Sequence, residues 1–367
     1  MDVFGFGRRR RFWTLLLERC WKRMLVESRN SEAYMGYELK HTVPHVSILG
    51  IGGAGCNIVS LMAKNGSEAS ILALNSDARH LSVTKAEKRI LLGYNTTSGL
   101  GCMGFPERGA RAAKESVGEI AKELFGSQVI FIVVGLGGGT GTGAAPVVAE
   151  IAKSQGAAAI GVVTIPFQTE NMRRAKAKEG LEALIGVCDA VIVVDNGKLL
   201  KTAGNLPLSQ SLVAANRLIA RFLRNLSDML VEPCSPGFDL SLKALMTENG
   251  VCTFGFGEGF GYTKVKDSIR NALANLLLDV RDLRKAEGGI IHVEGGEDMK
   301  AEDLKEANKI LKKIASNARV SCGVRLNNSM YDSVRATIVL AGVESPFQEK
   351  RRKLNLVSSW LKRLFRD

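Results

Sequence analysis

The heptapeptide Gly-Gly-Gly-Thr-Gly-Thr-Gly at residues 137–143 constrains this chain more than any other feature. With almost no side-chain bulk, its backbone can close tightly round an anion. The flanks indicate what the run is for. Val129–Val134 (VIFIVV) has the composition of a buried parallel strand, and Ala144–Lys153 carries Ala145, Val148, Ala149 and Ile151 at helical spacing. A glycine-rich turn between a buried strand and a helix start gathers unpaired backbone N–H groups and the positive helix end at one point, where a phosphate is stabilised. A flexible linker is the poorer reading, because linkers are not gripped between an apolar strand and a helix.

The run lacks the lysine of the GxxxxGK[ST] loop, and its strand lies far into the chain rather than at the start of the fold. Followed by Ala144, Ala145 and Pro146, it resembles the shared motif of the tubulin/FtsZ superfamily, and the resemblance extends over roughly residues 45 to 343. It implies an α/β protein: a Rossmann-like parallel-sheet GTPase domain, a central helix and a smaller α/β C-terminal domain, with GTP or GDP bound beside Mg2+.

Composition agrees with a globular chain of more than one domain. The 367 residues are 46% hydrophobic and 24% charged, enough for a sizeable core. Seven scattered cysteines without CxxC pairs suit a reducing cytoplasm and argue against structural zinc. No apolar run reaches the ~18 residues of a membrane span, and charges at Glu18, Arg19, Lys22 and Arg23 interrupt what would otherwise pass for a signal peptide. The net charge of +13 is concentrated at the ends: residues 1–30 hold eight Lys/Arg against three Asp/Glu, and residues 344–367 hold seven against three. The middle is only mildly basic, so no nucleic-acid partner is expected.

Short apolar runs at Val46–Gly50, Ile71–Leu74, Val129–Val134, Ile160–Thr164 and Val191–Val194 alternate with helical patterns, the rhythm of a mostly parallel sheet whose ligands sit at the strands' carboxyl ends. Ser209–Leu230 reads as a long helix joining two units. Beyond Pro233 and Pro236, strands are expected at Val251–Gly257, Gly289–Val293 and Ala336–Leu340, with helices near Asp267–Leu278 and Ala301–Ile314. The resulting division is an extension at 1–44, a nucleotide-binding domain at 45–208, a central helix at 209–230, a C-terminal domain at 231–343 and a tail at 344–367.

Other loops fall where a nucleotide would need them. Gly50–Asn57 follows the first strand and opens a helix; alone it fits an ordinary Rossmann-like turn or a NAD site equally well. The family resemblance implies that Gly52, Gly53, Ala54, Gly55, Cys56 and Asn57 lie beside the nucleotide, with all of Gly137, Gly138, Gly139, Thr140, Gly141, Thr142 and Gly143 on the phosphates. Asp77, ending the second strand, can hold Mg2+ through water or be a plain turn aspartate. Ser98-Gly99-Leu100-Gly101, running on to Pro106 and Gly109, resembles the loop over the γ-phosphate. Glu170 and Arg174 resemble the pair offered to ribose and phosphates, or form a helix-start charge pair. Asn196 is a candidate for contacting the nucleoside.

Two departures stand out. The central helix of the family carries an aspartate that accepts hydrogen bonds from guanine; here Arg217 takes that place and an arginine accepts none, so either Asn216 or a neighbour contacts the base instead or selectivity for guanine is weakened. In FtsZ, hydrolysis is completed by acids that one subunit inserts over the next subunit's γ-phosphate, which demands an acceptor within hydrogen-bond reach of water. An ungapped match anchored on Met246 puts Phe238 and Ser241 at those positions; a shift by one recovers Asp239 and loses the second to Leu242. Weak hydrolysis is expected.

Finally, Phe12, Trp13, Leu16, Leu17, Cys20, Trp21, Met24 and Leu25 recur at helical spacing beside Arg8–Arg11, and Leu354, Val357, Trp360, Leu361, Leu364 and Phe365 do so beside Lys350–Lys353. Basic amphipathic segments with tryptophans can lie in an anionic membrane surface or dock on protein. The expectation is a GTP-binding filament subunit of cell division or envelope organisation. It would assemble with itself or another FtsZ-like subunit, in the cytoplasm at the membrane periphery. The alternatives are a non-hydrolysing regulator that caps or co-assembles with a standard FtsZ, and an active self-assembling division GTPase.

Overall fold

The computed structural model describes residues 44–64, 67–203, 207–231, 250–280, 282–299, 301–314, 319–327 and 330–344. The basic amphipathic segments near both ends, and the stretch containing Phe238, Asp239 and Ser241, lie outside them. Ten strands form one sheet: β1 (Val46–Ile51), β2 (Ser70–Asn75), β3 (Lys88–Leu91), β4 (Val129–Gly135), β5 (Ala158–Ile165), β6 (Ala190–Asp195), β7 (Gly250–Phe260), β8 (Gly288–Gly295), β9 (Arg319–Leu326) and β10 (Ser333–Ala341). Their order is β3-β2-β1-β4-β5-β6-β7-β10-β8-β9. The first six are parallel, and β7 joins β6 in parallel through only three pairs, Ala190 with Gly250, Val191 with Val251 and Ile192 with Cys252. Further along, β7 pairs antiparallel with β10, so one strand belongs to both halves of the sheet.

The alternation of side chains sorts the parallel strands' residues onto two cores. Leu49, Ile51, Ile130, Ile132 and Val134 face α4 (Pro106–Glu115), α5 (Val117–Leu124), α6 (Thr140–Ser154) and α7 (Asn171–Ile185). Val46, Ile48, Phe131 and Val133 face α1 (Gly52–Ala63) and the long α9 (Leu208–Val231). Between these come the short α2 (Ala78–Val83), α3 (Tyr94–Thr97) and α8 (Asn196–Ala203). Burial on both faces explains why β1, β4, β5 and β6 read as continuous apolar runs.

In the second half, β7 alternates glycine with larger residues. Gly255, Gly257 and Gly259 face α10 (Lys264–Ala274), where any side chain would collide with the carbonyl oxygens of Ala272, Ser268 and Lys264. The opposite face carries Phe254, stacked on Phe222 of α9 with ring centroids 3.5 Å apart, and Phe256 edge-on to both. Further up that face runs a row of alternating charge: Arg335 bonds Glu258 at 3.1 Å and Glu294 at 3.0 Å, and Arg325 pairs with Asp228 of α9 at 3.0 Å. Helix α11 (Ala301–Ile314) completes this half.

Candidate nucleotide-binding site

The two glycine loops meet. A methyl group at Gly52, whose φ is +70°, would stand 3.0 Å from the Gly141 amide nitrogen. One loop ends β1 and opens α1; the other ends β4 and opens α6. Neither helix start has a side-chain cap, since Ile51 and Gly139 occupy the capping positions. First-turn amides that most helices spend on a serine or aspartate are thereby left for a ligand. A methyl group at Gly53 or Gly138 would meet no atom within 4 Å, so both loops face open space. Ala54 and Asn57 are exposed as well, whereas Gly55 and Cys56 are buried. The Cys56 thiol points into the core near the Gly50 and Leu74 carbonyls, and burial pushes its pKa up to about 12, so only its backbone is available to a phosphate.

Within the heptapeptide the threonines work on the fold. Thr142 is fully buried, and its hydroxyl accepts the Gly137 amide at 2.9 Å, holding Gly137 at φ +93°. Thr140 shares a 2.6 Å hydrogen bond with Ser76, tying the loop to the end of β2. Gly143 accepts no side chain against Pro106, and at Gly139 a methyl group would stand 2.8 Å from both Cys102 Cβ and the Phe105 amide nitrogen.

At the β2 end, Asp77 caps α2 by accepting the His80 amide at 3.0 Å. Residues 98–105 are laced to this turn: Asp77 bridges Leu100, Gly101 donates to the Ser76 carbonyl at 3.0 Å, and Ala78 donates to that of Gly99 at 2.9 Å. Lys176 of α7 holds the far side by donating to the Gly104 carbonyl at 2.7 Å. Glu170, just before α7, accepts from the Phe167 amide at 3.2 Å and from Arg173 at 2.7 Å. Its charged partner is therefore Arg173, while Arg174 donates to the Pro166 carbonyl at 2.8 Å and lies 3.9 Å from Asp195. This segment touches the heptapeptide, since a methyl group at Gly137 would stand 2.7 Å from the Arg173 carbonyl.

Asn196 opens α8 half-buried, next to Asp195, which accepts the Gly197 amide at 2.7 Å. On α9, Asn216 is half-buried and Arg217 exposed. That helix packs along α1, with Arg224 donating to the Met62 carbonyl at 3.3 Å. Asp239 lies outside the described residues. Contacts tie the glycines, Asp77, Gly101, Glu170 and Arg174 into one region, and Asn216 and Arg217 lie on the helix that packs along α1, which opens with the first glycine loop.

Among the described residues no three His, Cys, Asp or Glu side chains cluster as metal ligands. A single carboxylate, Asp77, at the turn that Ser76 ties to Thr140 of the heptapeptide, suits Mg2+ only as an ion held chiefly by phosphate oxygens and water. Among those residues, also, no helix is long and apolar enough to cross a membrane. Sequence reasoning missed Ser76, His80, Cys102 and Lys176, single residues in no recurring pattern, although Ser76 and His80 flank the already suspected Asp77.

Comparison with known proteins bears on the same elements. Residues 45–204 match the model of the Tubulin/FtsZ family GTPase domain, and residues 250–344 that of the FtsZ family C-terminal domain. The chain is 40% identical over 314 residues to cell division protein FtsZ 1 of Archaeoglobus fulgidus, covering 84% of each. It superposes on the empty FtsZ dimer of M. jannaschii with a TM-score of 0.77 at 34% identity, covering 91% of this chain and 98% of that one. The GTPγS-bound protofilament of CetZ2 from Haloferax volcanii, at 21% identity, shares the fold with a TM-score of 0.71, over 87% of this chain and 97% of that one.

Proposed function

The chain belongs to the tubulin/FtsZ family, and from that premise we propose a GTP-binding cytoskeletal protein of cell division that assembles head to tail, hydrolyses its nucleotide weakly and works at the membrane. The observation that carries the binding reading is the pair of abutting, uncapped glycine-loop helix starts facing open space. Their amides take the phosphates, Asp77 holds Mg2+ through water, and Glu170, Arg174 and Asn196 approach the ribose and base. Head-to-tail contacts are heterologous and build open filaments, with this chain or another FtsZ-like subunit as the next member. The boundaries 45–208, 209–230 and 231–343 are the proposed working parts, with 1–44 and 344–367 as anchors to an anionic membrane surface at the cytoplasmic periphery.

The weak-hydrolysis reading rests on the sequence match that puts Phe238 and Ser241, or on a one-residue shift Asp239 and Leu242, at the positions of the family's two water-orienting acids. The same residues favour a second reading, a regulator that caps or co-assembles with an acid-complete FtsZ. Turnover measured against protein concentration, alone and mixed with such a subunit, separates the cases. Low turnover with assembly alone supports the first reading, and activity only in the mixture supports the second. Steep self-activation would mean an ordinary self-assembling division GTPase.

A further inference from the structure

Three polar side chains run from the β2 turn to the first glycine loop. The Asp77 backbone amide donates to Asn75 Oδ1 at 3.3 Å. Asn75 Nδ2 lies 3.3 Å from His80 Nδ1, and His80 Nε2 lies 3.2 Å from Asn57 Oδ1. A backbone N–H can only donate, so it fixes the Asn75 oxygen as the acceptor and leaves the Asn75 nitrogen facing the imidazole. A neutral imidazole has one donor and one acceptor. With Nδ1 accepting from Asn75, the proton sits on Nε2 and is donated to Asn57 Oδ1. Asn57 is exposed beside the open space over Gly53, and an exposed asparagine amide has two nearly isosteric orientations. His80 removes that ambiguity: with Oδ1 engaged, the amide presents its Nδ2 donors outward, the polarity that an anionic or ribose oxygen requires.

We infer that His80 is a positioning residue for nucleotide binding, acting through Asn57 by a directed hydrogen-bond chain that starts at the Asp77 amide. The inference rests on the reading of the glycine loops as a nucleotide site. It also links the turn that carries Asp77 to the loop that carries Asn57, so the two sides of the site are set together.

The test is GTPγS affinity of the full chain by titration calorimetry, in a double-mutant cycle. His80→Leu should weaken binding ~5-fold, the size of one net hydrogen bond. His80→Gln, whose amide nitrogen can replace Nε2, should restore binding to within about twofold of wild type on the same ground. In an Asn57→Ala background, His80→Leu should cost nothing further, because the group it orients is gone. A loss that persists in that background, or a Gln variant as weak as the Leu variant, overturns the inference. So does unchanged affinity in His80→Leu. Nitrogen-15 NMR of the wild-type imidazole supplies a check independent of folding of the variants: the Nε2–H tautomer is expected, and Nδ1–H refutes the chain. Wild-type protein that binds no GTPγS while showing that tautomer refutes the nucleotide site itself, and the inference with it.

Discussion

At Gly139 the backbone of the heptapeptide passes so close to Cys102 and Phe105 that even a methyl group is crowded. Gly139→Val must push the loop or residues 102–105 away from the phosphate position, losing amide contacts to a charged group. Nucleotide affinity should fall on the order of 10- to 100-fold, and calorimetry on folded variant protein reads it; unchanged affinity would mean the phosphates sit elsewhere. Arg217 belongs to a different argument, since its exposed guanidinium offers guanine only donors. Arg217→Asp should raise the preference for GTP over ATP roughly tenfold, about one charge-assisted hydrogen bond. Competition binding that shows no change in selectivity puts the base pocket away from this part of α9. The glycine positions were legible in the sequence because small residues cluster between a strand and a helix. The Asn75–His80–Asn57 chain was not, because a lone histidine carries no spacing signal and its partners come from two separate turns.

Among strands, those inside the sheet were legible and the two at its ends, β3 and β9, were not. Edge strand β3 buries only Ile90 fully of its four residues, and β9 mixes Val320, Cys322 and Val324 with Arg319 and Arg325, so neither shows an apolar run. Strand β7 extends to Phe260, beyond the expected Gly257, because its Gly-Phe-Gly-Glu-Gly tail looks like a loop until α10 is seen seated on the glycines. Helix α10 itself starts at Lys264 and ends at Ala274, shifted from the expected 267–278. On β8, His292 shows how tightly α9 and the C-terminal strands close over one another. Burial, helped by Arg325 and opposed by Glu294, lowers its pKa from 6.5 to about 4, and among the described residues its Nε2 has no hydrogen-bond partner. In the unfolded chain this imidazole takes up a proton below about 6.5, before the folded one does. The stabilisation is therefore present at neutral pH and is lost as pH falls from about 6.5 through 4, to the extent of about 3 kcal/mol. Urea unfolding between pH 7 and 4 should show that decline, and His292→Gln should flatten it by a comparable amount. Parallel profiles for the two proteins would remove His292 from the account.

For the whole molecule, the proposed assembly, hydrolysis and anchoring can be tested separately. Supplying an acid by Ser241→Asp, or by Phe238→Asp with Ser241→Asp, should raise GTP turnover of assembled protein ~10-fold or more, within the usual range for a general base or water-orienting group. No increase in either variant, with binding and assembly intact, would falsify the idea that these positions limit the rate. Anchoring should show in sedimentation with anionic liposomes: deleting 1–30 or 347–367 each weakens binding, and Trp13→Glu or Trp360→Glu does so by removing apolar insertion. If the ends anchor as proposed, two weak anchors per subunit, multiplied along a filament, would bind through effective concentration, and raised salt should reduce only the electrostatic part. Intact protein that ignores such liposomes with GTP present makes the ends docking segments for protein. The sharing of β7 between the two halves of the sheet bears on how the chain can be divided. Removing everything from Gly250 onward takes away the partner of Ala190–Ile192 and lays open the flank of β6, every residue of which is buried in the intact chain. Such a flank is a template for any extended polypeptide that drifts past. A fragment trimmed there should be prone to aggregate, and the C-terminal strands are, whatever else they do, the cover over that edge.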